Sequence, residues 1–425
     1  MASKFIALRR ASHGQKLQQP LTTVEETRAA LVLSAQEGPE EDQLVALGLK
    51  PLDPCAELVD GANSFWSLAY LDAFVVETVD ARLARQARTL LEDDYLIVPD
   101  LELSLPTPFR GQTYQRLPKR ATEWPPASGI AQARQAGLTG KGVRVCVLDT
   151  GIDADHTEFR GKVIDFRYIP LDPKSGPVRT CRGFDVDGHG THVCGIIGGR
   201  NIGVAPDAEL MVAAVLESET LRTSLERVVV ALNWVLSMFE EDANLDKPVI
   251  VNMSLGFTRT SLDRVGFANA VMAFQQILTT LVDDFRVLPV VAVGNEGPGS
   301  VRAPAYFADT LSVGAVDWDL KVAEFSGGGK SLLTSEIEPN VAGYGVNVLS
   351  SFERTIENRS IYRSMSGTSM AAPYATGIAA LVASQNPHWQ GRALWQRLVQ
   401  TALPLDAPAD RAGAGLARFL QEAML

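Results

Sequence analysis

The stretch Gly-Thr-Ser-Met-Ala-Ala-Pro at residues 367–373 is the most informative part of this 425-residue chain. Ser369 opens a run of small residues typical of the first turn of a buried helix, where Pro373 is still tolerated. The positive end of such a helix favours negative charge beside Ser369. A serine in this position is either a helix N-cap or a nucleophile, and a nucleophile needs a base within hydrogen-bond reach.

Two strings upstream supply the missing partners. Residues 145–151 (Val-Cys-Val-Leu-Asp-Thr-Gly) end an apolar, β-branched run in Asp149. Residues 187–193 (Asp-Gly-His-Gly-Thr-His-Val) place His189 between glycines at the entry of a predicted helix. Asp, His and Ser are the three groups of a nucleophilic hydrolase. The sequence therefore predicts Ser369 as the nucleophile, with His189 as its base and Asp149 orienting the imidazole.

Other histidines and acidic residues compete for these roles. His156 follows Asp149 too closely in the chain to act from another element, and His192 falls inside the predicted helix, where a structural histidine is the commoner case. Asp153 and Asp155 are the acidic competitors, but neither stands directly at the end of the apolar strand as Asp149 does. These arguments favour His189 and Asp149.

Asn295 is the candidate oxyanion donor. It lies in the string Val-Gly-Asn-Glu-Gly at 293–297, between the histidine and serine strings. Acyl transfer places negative charge on the carbonyl oxygen, and a side-chain amide can stabilise it together with the backbone N–H of Ser369.

Strands alternate with helices from about residue 142. Apolar runs predict strands at 142–148, 210–216, 249–255, 287–293 and 311–316, and helices at 193–198, 224–240 and 262–284. This alternation predicts an α/β fold with a mostly parallel twisted sheet flanked by helices. Sites in such sheets lie at the carboxyl ends of the strands, where Asp149 and Asn295 both fall.

The region before residue 105 has a different pattern. A strand at 4–10, an apolar and aromatic run at 64–78, a helix at 80–92 and a strand at 95–99 predict a small α+β domain over residues 1–104. The proline-rich segment 105–123 is expected to be an exposed linker. Residues 124–425 would then form the larger domain.

The composition excludes several classes of partner. With 46% hydrophobic and 21% charged residues the chain is typical of a globular protein, and its net charge of −11 argues against nucleic acid or anionic membranes as partners. The start shows no signal-peptide pattern and no apolar run is long enough for a membrane span, so we expect a cytoplasmic protein. The four cysteines show no metal-ligand spacing. We expect no metal among the site residues and no required cofactor, with calcium left open. The oligomeric state is open.

From about residue 124 the chain resembles the subtilisin-like serine proteases, the subtilase or S8 family. Its strings at 149–151, 189–192, 252–256, 294–297 and 367–373 occur in the family's order. The resemblance implies a serine endopeptidase that cleaves proteins or peptides through an acyl-enzyme.

The resemblance also assigns roles to individual positions. It makes Asp149, His189 and Ser369 the catalytic triad and Asn295 the oxyanion residue. By the same mapping Ser254, Leu255 and Gly256 would pair with the substrate backbone as an added β-strand.

The N-terminal domain resembles, by pattern rather than by motif, the family's propeptide, which acts as intramolecular chaperone and inhibitor. This implies a zymogen that processes itself within 105–122, with the pair Lys119-Arg120 as one candidate cut and 20–54 as a candidate insertion. The chain's own N-terminal domain would then be its inhibitory partner.

One departure from the family concerns calcium. The family's tight calcium site uses a loop that follows the helix of the catalytic histidine. Residues 196–204 run almost directly into the next strand here, and Glu158 stands where an aspartate ligand is expected. We therefore expect that site to be lost, because calcium needs several oxygen ligands.

Two rival functions use the same scaffold. A transpeptidase or macrocyclase would share the acyl-enzyme and differ only in the group that accepts the acyl chain. A pseudoprotease would bind peptides without cutting them, but it has no need to retain all four predicted catalytic groups.

Overall fold

The computed structural model describes residues 3–10, 39–52, 63–118, 123–170, 179–216, 221–257, 261, 264–331 and 336–421. The pair Lys119-Arg120 and most of the segment 20–54 lie outside these ranges. Among the helices of the described ranges, none is both long and apolar enough to cross a lipid bilayer.

In the described residues, the N-terminal unit is a five-stranded sheet with two helices. Its elements are β1 (Ser3–Arg9), α1 (Pro39–Ala46), β2 (Lys50–Pro51), β3 (Asn63–Leu68), β4 (Ala73–Thr78), α2 (Ala81–Leu91) and β5 (Tyr95–Pro99). The strand order is β2-β3-β4-β1-β5, and β1 is antiparallel to both neighbours. Helix α2 begins after Asp80, because that carboxylate accepts hydrogen bonds from the backbone N–H groups of Arg82 and Leu83.

After β5 the structure describes sixteen further strands and seven further helices. The strands are β6 (Glu102–Ser104), β7 (Phe109–Tyr114), β8 (Arg144–Asp149), β9 (Ile164–Tyr168), β10 (Arg179–Thr180), β11 (Glu209–Ala214), β12 (Arg222–Ser224), β13 (Val249–Met253), β14 (Gly256–Phe257), β15 (Leu288–Ala292), β16 (Leu311–Val316), β17 (Gly329–Lys330), β18 (Ile337–Glu338), β19 (Val341–Tyr344), β20 (Val348–Phe352) and β21 (Ile361–Ser366). The helices are α3 (Ile130–Gln135), α4 (His189–Gly198), α5 (Leu225–Ser237), α6 (Phe267–Asp283), α7 (Thr368–Gln385), α8 (Gly391–Thr401) and α9 (Ala409–Ala412).

The larger unit is built on one eight-stranded sheet in the order β10-β9-β11-β8-β13-β15-β16-β19. Every neighbouring pair is parallel except β10 with β9. The predicted α/β class with a mostly parallel sheet is confirmed. The predicted helix at 262–284 begins later, at Phe267, directly after Gly266, whose φ of 87° is not helical. The strand predicted at 249–255 ends at Met253, which leaves Ser254 and Leu255 beyond the sheet.

The two units share one hydrophobic cluster. Ile6, Trp66 and Val75 from the N-terminal sheet are buried in the same cluster as Val228 of α5 and Phe274 of α6. One face of the N-terminal sheet is therefore covered by two helices of the larger unit.

The segment between the units is only partly exposed, and the expectation of an exposed linker at 105–123 is wrong for its first residues. Leu105 is buried, and Pro106 and Pro108 are also buried. The reason is long-range pairing: β6 lies between β12 and β14 in a three-stranded antiparallel sheet. Local composition does not reveal partners more than 100 residues away.

Candidate active site

Asp149 and His189 are joined at the carboxyl end of β8. Asp149 is the last residue of β8 and His189 is the first of α4, and both side chains are fully buried. His189 Nδ1 donates to Asp149 Oδ1 at 2.7 Å, and Thr150 N donates to the same oxygen at 2.7 Å. Burial disfavours the charged imidazolium, but the carboxylates of Asp149, Asp187 and Asp185 together outweigh burial, and the pKa of His189 is raised above its ordinary value.

Asp185 fixes the end of the strand against the start of the helix. Its Oδ1 accepts hydrogen bonds from Thr150 Oγ1 at 2.7 Å and from Gly188 N at 2.9 Å, and its Oδ2 accepts from Thr191 N at 2.6 Å. Thr150 Oγ1 in turn accepts from Gly190 N at 2.8 Å. Sequence reasoning missed Asp185; its position four residues before His189 was the only local signal.

The competing residues have other partners. His192 is fully buried, its Nε2 lies 2.9 Å from the carbonyl oxygen of Arg363, and burial lowers its pKa to about 3. His156 Nε2 lies 3.0 Å from the carbonyl oxygen of Ile361. Asp153 forms an ion pair with Arg354 at 2.9 Å. These contacts suit structural roles.

Ser369 lies in the first turn of α7, which packs against α4. Its side chain is fully buried. Neither Ser369 Oγ nor His189 Nε2 has a hydrogen-bond partner among the described residues, so the structure does not bond these two atoms to each other. Catalytic hydrogen bonds are often long before substrate binds.

Asn295 lies beside the nucleophile. Its Oδ1 accepts hydrogen bonds from Thr368 N and Thr368 Oγ1, both at 2.9 Å. Its Nδ2 donates to the carbonyl oxygens of Thr107 at 3.1 Å and Pro106 at 3.3 Å. The predicted oxyanion donor is thus already engaged by carbonyl groups of the same chain.

The run Ser254-Leu255-Gly256 borders a strand that the chain itself supplies. In the antiparallel register, Ser104 of β6 is opposite Gly256, and Leu103 is opposite Phe257. On the other side, Leu105 N donates to the carbonyl oxygen of Leu221 at 3.1 Å. The chain then runs from Leu105 to Pro106, whose carbonyl oxygen accepts a hydrogen bond from the Asn295 amide.

Glu158 occupies the region expected to hold calcium. Its Oε2 accepts from Asn201 N at 2.8 Å, and its Oε1 accepts from Asn201 Nδ2 at 3.1 Å and from Tyr362 OH at 2.9 Å. Both carboxylate oxygens therefore already have protein donors. In the part of the chain that the structure describes, no three His, Cys, Asp or Glu side chains are grouped so as to hold a metal ion.

Comparisons with known proteins identify the family and relatives of this chain. The model of the Subtilase family matches residues 140–418. Subtilisin-like protease PopC of Myxococcus xanthus (strain DK1622) is 41% identical over 371 residues, which cover 84% of this chain and 77% of that protein. Subtilisin Savinase of Lederbergia lenta is 33% identical over 290 residues, covering 67% of this chain and 91% of that protein.

A solved structure of a cold-adapted subtilisin-like serine proteinase matches with a TM-score of 0.53 and 25% identity. The match covers 67% of this chain and 91% of that one. Together with the family match over most of the larger unit, these similarities establish that the chain belongs to the subtilase family of serine proteases.

Proposed function

We propose that this subtilase is a serine endopeptidase made as a zymogen that inhibits and then cuts itself. One observation carries the proposal: the cleft holds residues 102–107 of the same chain, of which Glu102–Ser104 form an added strand. That strand is paired with β12 and β14, and the segment ends with two carbonyl oxygens on the amide of Asn295. A peptide substrate bound for acyl transfer needs the same arrangement.

Each catalytic group has a defined task in this proposal. Ser369 Oγ attacks the carbonyl carbon whose oxygen lies at Asn295, and His189 accepts the hydroxyl proton. Asp149 holds the imidazole with its Nδ1–H towards the carboxylate and stabilises the imidazolium. The Asn295 amide and the Ser369 backbone N–H stabilise the oxyanion. His189 then protonates the leaving amine, and water releases the acyl chain.

Two peptide bonds follow the carbonyl groups at Asn295. They are the bond from Pro106 to Thr107 and the bond from Thr107 to Pro108. The proposed first cut falls at one of them, and the mass of the products identifies which.

The N-terminal unit would hold this strand in place. Its sheet shares a hydrophobic cluster with α5 and α6, Lys4 forms an ion pair with buried Glu226, and Gln276 Nε2 donates to the carbonyl oxygen of Arg9 at 2.7 Å. These contacts support the role of inhibitor. The engaged oxygens of Glu158 support a further part of the proposal, that calcium does not bind there.

Intact mass tests the proposal. Wild type, Ser369→Ala and, as a control in the same helix, Ser384→Ala are purified at full length and incubated side by side. We expect wild type and the control to split near residues 106–107 while Ser369→Ala stays whole. If all three stay whole, a fluorophosphonate probe is applied after the N-terminal unit is removed by trypsin, and failure to label Ser369 overturns the proposal. A product joined to an added amine would identify transpeptidation instead.

A further inference from the structure

The chain continues past the Asn295 amide as a second paired strand, β7. In its antiparallel pairing with β21, Phe109 is opposite Ser366 and Tyr114 is opposite Tyr362. Strand β21 leads directly into Ser369, and its other edge is occupied by β20. Residues 109–113 are exposed, so β7 forms the outer edge of this sheet.

Arg110 anchors β7 beside the catalytic histidine. Its Nη2 donates to both carboxylate oxygens of Asp187 at 2.5 Å, and Asp187 lies two residues before His189. The Asp187 side chain is 11% exposed and that of Arg110 is 37% exposed. The guanidinium also lies 5.9 Å from the ring centroid of Phe352. Because the Asp187 carboxylate is nearly buried, water screens this contact less than it screens a pair of fully exposed side chains.

The surroundings of Asp187 favour a positive charge. Burial raises the pKa of Glu353, the carboxylates of Asp185 and Asp187 raise it further, and Arg110 acts in the opposite direction. The second cation on this face is Arg363, whose Nε donates to Thr113 Oγ1 at 3.1 Å and whose guanidinium lies over the Phe352 ring. Arg110 belongs to β7 and Arg363 to β21, so each strand of the pair contributes one arginine to this face.

The anchors of β7 are independent of the N-terminal sheet. Its strand partner is β21 and its ion-pair partner is Asp187, and both belong to the larger unit. A cut after Pro106 or Thr107 would leave residues 109–114 covalently attached to that unit. Release of the N-terminal unit would therefore not by itself uncover this half of the cleft.

We infer that the edge of β21 and the Asp187 carboxylate form a docking site for an extended peptide strand that carries a guanidinium group, and that residues 109–114 are its resident occupant. The inference rests on the proposed function, because it makes this segment a second block of the cleft that persists after the first cut. Full activity then requires the segment to leave the β21 edge.

Hydrogen exchange tests the docking site without any need for activity. In full-length Ser369→Ala, Arg110→Glu places a carboxylate against Asp187, and we expect amides of 109–114 to exchange about three- to tenfold faster. Arg110→Lys keeps the positive charge, so its exchange rate at 109–114 should lie between those of the parent and of Arg110→Glu. Arg116→Glu is the control, because it makes the same change at an exposed arginine two residues after the segment, and it should leave the exchange of 109–114 unchanged.

A charge swap excludes a merely structural effect. Adding Asp187→Lys to Arg110→Glu restores the attraction with reversed signs, so protection of 109–114 should return towards that of the parent. Equal exchange in Arg110→Glu and its parent, or no recovery in the swap, overturns the inference whatever the chain's activity.

The active chain then separates this inference from the function on which it rests. After self-processing, Arg110→Glu should label at Ser369 with a fluorophosphonate several times faster than wild type, with Arg116→Glu at the wild-type rate. Equal labelling of all three means that β7 does not block the cleft. Labelling of none of them, before or after removal of the N-terminal unit, overturns the protease proposal itself.

Discussion

The side-chain amide of Asn295 donates a hydrogen bond to the backbone carbonyl oxygen of Thr107 at 3.1 Å, while its carbonyl oxygen accepts two from Thr368. One side chain therefore links the residue before the predicted nucleophile to the strand in the cleft. A mutation can remove the donor of this amide and keep its acceptor, because only the nitrogen contacts the carbonyl oxygens of Pro106 and Thr107.

Asn295→Asp keeps an acceptor for Thr368 but replaces the N–H donor by a carboxylate oxygen. We expect kcat/KM to fall by about 10²–10³ or more with a small change in KM, because the lost bond stabilises the oxyanion and not the bound substrate. Asn358→Asp, which adds the same charge at an exposed position, should retain activity. A variant Asn295→Asp with full kcat would remove Asn295 from the mechanism.

Sequence patterns predict the central elements well because they reflect local physics. The strand predicted at 311–316 has the observed bounds. Asp149 is the last residue of β8, and Asn295 lies three residues after the end of β15, so both are at carboxyl ends of strands as predicted. Long-range pairing is not local. The prolines at 106 and 108 suggest an exposed linker, whereas pairing of β6 with β12 and β14 buries the start of that segment.

Side-chain networks were missed for a related reason. A carboxylate such as that of Asp185 has no periodicity. Four of its five donors lie at 187–191, just after it in the chain, and the fifth is the hydroxyl of Thr150, 35 residues upstream, which meets it only in the folded protein. The ion pair between Arg110 and Asp187 joins residues 77 positions apart. Neither contact has a signature in spacing or hydropathy.

The pH profile should depend on the Asp149 carboxylate. Only neutral His189 can accept the proton of Ser369, so kcat/KM should fall as pH drops through the raised pKa of His189. Asp149→Asn removes the carboxylate that does most to raise the pKa of His189, so the acid limb should move to lower pH while the rate falls by about 10⁴. His192→Gln changes a histidine that is neutral throughout this range and should not move the limb. An unmoved limb in Asp149→Asn would contradict the assignment.

Gly190 should tolerate no side chain. A Cβ at this position would lie 2.1 Å from the carbonyl oxygen of Gly151, so Gly190→Ala must push α4 away from the loop that follows Asp149. We expect a destabilisation of about 1–3 kcal/mol and a large loss of activity. Gly198→Ala in the same helix is the matched control, because its Cβ would meet only the movable side chain of Leu210 at 3.3 Å. Thermal unfolding and peptide hydrolysis measure both effects; equal behaviour of the two variants would show that the close approach does not matter.

The contact between the two units should weaken as pH rises. Burial raises the pKa of Glu226 to about 7, although Lys4 opposes this, and Asp100 and Glu77 raise it further. A raised carboxyl pKa means that this group's contribution to stability is present below its ordinary pKa of 4.5 and is lost as pH rises through about 7.

Glu226→Gln in the Ser369→Ala chain should therefore flatten the decline of Tm between pH 5 and pH 8, an effect of at most about 3 kcal/mol. Exposed Glu92→Gln, on the N-terminal unit, should leave the pH dependence as it is in the parent chain. A decline that is the same in all three chains would show that another group titrates.

Glu158 should stabilise the short loop after α4 without calcium. Glu158→Ala leaves the hydroxyl of buried Tyr362 without this acceptor, which costs about 1–3 kcal/mol, whereas the donors of exposed Asn201 can bind water instead. We therefore expect a Tm several degrees lower, measured by calorimetry, whereas Glu357→Ala at an exposed position should have little effect. Because both Glu158 oxygens already have donors, neither a chelator nor added calcium should change the Tm difference between Glu158→Ala and wild type. A chelator that lowers the wild-type Tm to that of Glu158→Ala, and leaves the variant unchanged, would instead place a calcium ion at this carboxylate.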